Sequence, residues 1–299
     1  MDRFHLMTVF VAVAEEESFA AAARRLHMSP PAVTRAVAFL EEHLGVRLLT
    51  RTTRLVRTTE AGARYLDDAR RILLEADEAD EAAAGINAMP RGHLAVTAPM
   101  LFGKLYVMPI ITAYQRIFQE TTVSALFVDR VVNLLDEGLD IGIRVGQLPD
   151  SSLRAIRVGQ VRRVVCAAPA YLDKHGIPKT PADLAGHQII AATAVSAGSE
   201  WTFAKGKEKI GIKLNPRILV NTNDGALEAA NDGFGLTRLI SYQVANELAA
   251  GKIKAVLSGY EEAPLPIHVI HGEGRHRSAK VRSFVDMAVE KLRADKALN

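Results

Sequence analysis

The chain holds a single cysteine, Cys166, among its 299 residues. That excludes an intrachain disulfide framework and fits a reducing compartment. No run of about eighteen apolar residues exists, so no helix is expected to span a membrane. The opening stretch carries acids close on both sides and leads to no small-residue cleavage site, unlike a signal peptide, so a cytoplasmic location is expected. Walker A, GxSxG and GxGxxG motifs are all missing. Cys166 sits in the apolar run RRVVCAAP, where a buried thiol is commoner than a nucleophile. His268 and His271 are three apart, on opposite faces of a strand, and His276 lies in the basic loop GRHR without an acid or cysteine beside it. These gaps leave no catalytic constellation, no metal site and no cofactor to expect. Lysine is also missing from the first 71 residues, where arginine supplies the basic side chains.

What is present starts with two short helices and a tight turn over residues 18–44, SFAAAARRLHMSPPAVTRAVAFLEEHL. Ser18 offers an N-cap to an alanine-rich helix that runs out near Leu26. Ser29 offers a second cap, with Pro30 at the first helical position, where a missing N–H costs nothing. Val33, Val37, Leu40 and Leu44 make one apolar stripe, and Pro31, Thr34, Arg35 and Ala38 fall opposite. A short helix docked by one stripe, with a small polar and basic face turned out, suits a DNA major groove. After Gly45 an apolar strand leads into TRTTRLVRTT, with Arg51, Arg54 and Arg57 three residues apart, as in a hairpin laid along phosphates. Residues 20–64 carry eight arginines against three acids, a balance of +5, whereas the whole chain stands at +3. Guanidinium forks match phosphates and guanine edges. Together these features predict a DNA-binding module.

From Thr59, with Glu60 in the first turn, residues 59–87 contain no proline. Tyr65, Ile72, Ala79 and Ile86 repeat every seven residues, with Ala69, Ala76 and Ala83 as a second series. This a/d seam predicts pairing with a like helix, set against the alternative of a helix packed on its own domain. Beyond a break at Met89-Pro90-Arg91-Gly92, strands alternate with helices. Strands are expected over 93–97, 123–128, 140–145, 163–168, 187–190, 218–220 and 266–270. Helices are expected over 104–115, 132–137, 224–231, 241–250 and 279–296. The pattern predicts an α/β fold with largely parallel sheets and a ligand cleft at the strand ends. The loops there hold Pro99, Met100 and Leu101, then Arg144 and Gly146, the hydroxyl-rich 193–199 with Ser196, and Thr222, Asn223 and Asp224, the last a possible helix cap.

End to end, the chain resembles a LysR-type transcriptional regulator. The residues that carry this are FAAAARRLHMSPPAVTRAVAFLEEHLGVRLLTRTTR, TEAG, DIGIRVGQLPDSSL, APAYLDKHG, DGALEAANDGFGLTRL and PLPIHVI. The resemblance implies an N-terminal all-α winged helix-turn-helix over 1–58, a dimerising linker helix over 59–89 and an α/β effector domain over 90–299. That last domain would be a two-lobed, periplasmic-binding-protein-like (type 2) fold. One lobe would take about 90–160 and 267–299, the other about 161–266, with crossings near Gln160 and Pro266. The implied partners are double-stranded DNA at a pseudo-palindromic site, a small-molecule effector, and other copies of the chain as a homodimer and homotetramer. Carried over by position, Ser29, Pro31, Thr34 and Arg35 would face the groove, with Arg51 and Arg54 as wing contacts. Ala36 replaces a glutamine common in relatives, so readout there would shift to a thymine methyl or be lost. Met100 and Leu101 stand where relatives often present serine or threonine, which implies a more apolar effector, or none. Two alternatives remain at this point: a regulator acting without an effector, and a solute-binding protein or enzyme. The basic N-terminal module and the missing signal and catalytic motifs weigh against the second.

Overall fold

The structure is a computed structural model that describes residues 2–51, 56–84, 89–193, 200–272 and 278–298. The chain divides into two compact units, Met1–Ala88 and Met89–Asn299.

In the first unit, α1 (Arg3–Glu16) starts where the Asp2 carboxylate accepts the Phe4 N–H at 3.2 Å. Leu6, Val9, Phe10 and Val13 form its buried stripe. Ser18 caps α2 (Phe19–Arg25) through the Ala21 N–H, 3.2 Å away. The turn that follows puts His27 in the left-handed region (φ 51°). Helix α3 (Pro30–Leu44) has Pro30 at its first position, and Ser29 stands at the cap without a side-chain hydrogen bond. A small antiparallel wing joins β1 (Leu49–Arg51) to β2 (Val56–Thr58). The Thr59 hydroxyl then accepts the Gly62 N–H at 2.9 Å and opens α4 (Glu60–Ala84).

The first half of the predicted seam on α4 is used within the unit. Tyr65 meets Phe10 edge-to-face, with ring centroids 5.5 Å apart, and Ala69 is fully buried. Arg70 reaches back to Glu15 on α1 at 2.9 Å. The alternative of packing on its own domain therefore holds for the N-terminal turns. Farther along, Ala79 is exposed; Ile86 and the Ala83 side chain lie outside the described residues.

In the second unit, β3 (Gly92–Ala98) leads into α5 (Met100–Phe102), a π-helical turn (Gly103–Val107) and α6 (Met108–Ile117). Next come β4 (Thr121–Phe127), β5 (Ile141–Val145) and β6 (Leu153–Val161). The chain then crosses to a second lobe through β7 (Arg163–Ala167), α7 (Pro169–His175), β8 (Ile189–Ala192) and the hairpin of β9 (Glu200–Lys205) and β10 (Glu208–Lys213). That lobe continues with β11 (Ile218–Val220), α8 (Asn223–Asn231), β12 (Leu236–Ile240), α9 (Ala245–Ala249) and β13 (Lys254–Val256). The return strand β14 (Leu265–Gly272) and α10 (Ala279–Ala294) complete the first lobe.

The strand orders are β4-β3-β5-β14-β6 in the first lobe and β11-β8-β12-β7-β13 in the second. Each sheet is mixed rather than largely parallel. β3 runs parallel to β4 and β5, whereas β14 is antiparallel to β5 and β6. β8 is parallel to β11 and β12, whereas β7 is antiparallel to β12 and β13. In the first lobe the cause is connectivity: β6 leads out of the lobe and β14 leads back in, so the two run in opposite directions. The crossings lie side by side, with Leu265 opposite Val161 and Pro266 opposite Gln160. Ion pairs tie them: Arg162 to Glu261 at 2.6 Å and Arg163 to Glu262 at 3.1 Å.

One expected helix is absent and another is shortened, each for a local reason. Over 132–137 the Asn133 side chain accepts the Leu135 N–H at 3.1 Å and donates to Asp136 at 2.7 Å. These bonds hold turns instead of a helix. Over 241–250 the Gln243 side chain accepts the Ile240 N–H at 3.0 Å, making a 3-10 turn (Ser241–Gln243) that Val244 separates from α9.

Candidate functional site

The outward face of α3 carries Pro31, Arg35 and Ala38 exposed and Thr34 half-buried, with Ser29 exposed at the helix start. On the inner face Val33, Val37 and Leu40 are joined by Ala36, only 1% exposed, within the core of the unit. Ala36 is therefore a packing residue, which fits the loss of readout there and not the alternative of a thymine-methyl contact. The wing is tied to α3 by Glu41, whose carboxylate accepts the N–H groups of Leu48 and Leu49 at 2.8 and 3.0 Å. Arg57 is exposed on β2. The Arg51 side chain and all of Arg54 lie outside the described residues.

Glu15 braces this module, paired with Arg25 at 2.8 Å and with Arg70 at 2.9 Å. Burial pushes its carboxyl up, and the hydrogen bonds from the two arginines outweigh that, leaving it below the usual carboxylate range.

In the second unit a cleft of about 700 Å³ opens between the lobes, in the range that takes small organic molecules. Of the residues expected to contact an effector, Pro99, Arg144, Gly146 and Asn223 line it together. Met100 is exposed, Leu101 packs on the core of its lobe, and neither is in the lining. Thr222 is also outside it: its hydroxyl accepts the Gly225 N–H at 3.2 Å, so Thr222, and not Asp224, caps α8. Ser196 lies outside the described residues.

Arg144 is held by backbone carbonyls, 3.0 Å from that of Ile143 and 3.5 Å from that of Val132, and burial lowers its pKa. Arg130 pairs with Glu137 at 2.6 Å. Asp129 accepts the Met100 N–H at 3.0 Å. Tyr242 packs edge-on against Phe102, centroids 5.4 Å apart, and burial raises its hydroxyl above the usual range.

The sequence reading missed Tyr242, Lys207 and Lys209 in this lining. The lysines belong to the β9–β10 hairpin, whose two-residue turn has Gly206 at φ 63°. The alternation in WTFAKGKEKIGIK around a Lys-Gly-Lys turn was the available signal. The hairpin rests on Arg238, which stacks on Trp201 at 5.1 Å and donates to the Thr202 carbonyl at 2.8 Å. Cys166 is fully buried in β7, and its thiol is pushed up to about 12 by burial, so it stays protonated at neutral pH.

Two family models match the chain: "Bacterial regulatory helix-turn-helix protein, lysR family" over residues 4–63 and "LysR substrate binding domain" over residues 87–293. The transcriptional regulator CrgA of Neisseria meningitidis serogroup C is 33% identical, covering 96% of this chain and 96% of that protein. The transcriptional activator AaeR of Escherichia coli K12 is 32% identical, covering 96% of this chain and 93% of that protein. The solved structure of CrgA from Neisseria meningitidis superposes with a TM-score of 0.62 at 32% identity, covering 96% of this chain and 98% of that one. The chain belongs to the LysR family of transcriptional regulators, with a helix-turn-helix DNA-binding module and a two-lobed effector-binding domain.

Proposed function

We propose that this regulator reads a pseudo-palindromic promoter site through Ser29, Pro31, Thr34 and Arg35 in the major groove, with Arg51 and Arg54 on the flanking phosphates. The observation that carries this reading is the face of α3, where Arg35 projects from a helix whose other side is packed into the core. Two copies would pair through the later turns of α4, placing the recognition helices about one DNA turn apart. Leu105 and Met108, each 40% exposed on the π-helical turn and α6, support a further self-association surface and hence a tetramer. The molecule acts in the cytoplasm and without catalysis; the protonated, buried Cys166 supports the latter. A small molecule in the cleft, touching Pro99, Arg144, Gly146 and Asn223, sets its activity.

The test is a salt series of binding to operator and to unrelated DNA. Arg35→Ala is expected to weaken operator binding by roughly tenfold or more and to spare non-specific binding, as loss of a base contact does. Arg51→Ala is expected to weaken both and to lower the salt slope by about one. Equal losses with unchanged slopes would sink the assignment.

A further inference from the structure

We propose that the effector is a small organic anion with an apolar body, held by Arg144 from one lobe and drawn in by Lys207 and Lys209 of the β9–β10 hairpin from the other. The inference rests on the cleft being the effector site and adds the chemistry of what fills it.

Charge gives the first argument. Both acids in the lining are engaged, Asp129 by the Met100 N–H and Glu262 by Arg163. Arg144, Lys207 and Lys209 have no ion pair among the described residues. A recessed guanidinium that reaches only backbone carbonyls keeps donor capacity for an anion, and hydrogen bonds to charged groups are the strong ones.

The opposite wall gives the second. Asn223 is only 7% exposed, and its Oδ1 has no hydrogen-bond partner. It is the first residue of α8, a helix of 9 residues whose N-terminal dipole favours negative charge. An orphan amide oxygen accepts and cannot itself bind an anion, so it calls for a donor, a hydroxyl or N–H, elsewhere on the effector.

The apolar part follows from Val131, 94% exposed although it lines the cleft, together with Ile240, Leu265 and the Tyr242 ring. The Arg238 stack on Trp201 fixes the hairpin that carries Lys207 and Lys209. Their field therefore points into the cleft and draws anions from solution.

Calorimetric titration of the full-length protein with benzoate, phenyl phosphate and benzamide tests this. At least one anion is expected to bind at least tenfold more tightly than benzamide, and the better of the two tells a carboxylate from a phosphate. Arg144→Gln is expected to cut that affinity at least tenfold. Lys207→Gln with Lys209→Gln, on an exposed turn that leaves folding intact, is expected to cut it two- to fivefold and to flatten its salt dependence. Benzamide binding as well as the anions, anion binding indifferent to Arg144 and the lysines, or no anion binding would each overturn the proposal. Val131→Trp separates it from the reading beneath: neutral-ligand binding abolished by that substitution keeps the cleft as the effector site and removes only the anion. If no probe binds and none alters operator binding, both fall.

Discussion

Single side chains decide how much of the DNA-binding module faces outward. Ala36, fully packed beside Val33 and Leu40, leaves the outward face of α3 to Pro31, Thr34, Arg35 and Ala38. At the surface of the same unit, Glu15 joins α1 to α2 and α4 through Arg25 and Arg70. Its folded pKa lies below the unfolded one. Its contribution is therefore fully present above the ordinary carboxylate value, about 4.3, and is lost as pH falls through the folded value. Glu15→Gln is expected to lower stability at pH 7 by about 1 kcal/mol, the upper end for an exposed pair. It should also give a shallower acid limb: between pH 5 and pH 3 the melting temperature of the native chain should fall faster than that of the variant. Parallel acid limbs would contradict the role.

At the level of elements, the junction of wing and linker helix depends on a close approach. The Leu48 carbonyl accepts the Thr59 N–H at 2.9 Å, and a Cβ on Gly62 would collide with that same carbonyl. In a helix, glycine to alanine ordinarily stabilises by up to about 1 kcal/mol. Here the opposing atom is backbone and cannot swing aside. Gly62→Ala is therefore expected to destabilise the first unit by about 2 kcal/mol, as overpacking does, read as a lowered denaturation midpoint. The elements legible in the sequence were those whose signal is local. Ser18 and Thr59 announced their helices by cap chemistry, and the stripe of α3 by its period. β6, β9, β10, β12 and β13 were not read. β12 and β13 are short strands whose partner β7 is distant in sequence, and a short apolar run does not distinguish strand from helix. The cleft was half legible for a related reason. Arg144 and Asn223 sit at strand and helix ends that announce themselves, whereas Tyr242 and Lys207 reach the lining only through tertiary folding.

At the scale of the molecule, the two units have separate cores, one built on Phe10 and Leu40, the other on clusters that include Phe102, Ile143 and Phe284. A chain ending at Ala88 and a chain beginning at Met89 are each expected to unfold in a single cooperative transition by calorimetry. Only the first should bind DNA, and more weakly than the whole chain. A Met89–Asn299 chain without a melting transition would refute the independence of its core. Within that second unit, the strands that leave and re-enter the first lobe run alongside each other, clamped by Arg162 to Glu261 and Arg163 to Glu262. Two adjacent, paired tethers are expected to resist sliding and twisting more than rotation about the line through them. For a molecule settling between the lobes, its shape and chemistry would then be expressed chiefly as one angle. If that angle is what reaches the DNA-binding unit, different occupants that close the lobes equally would act alike at the promoter.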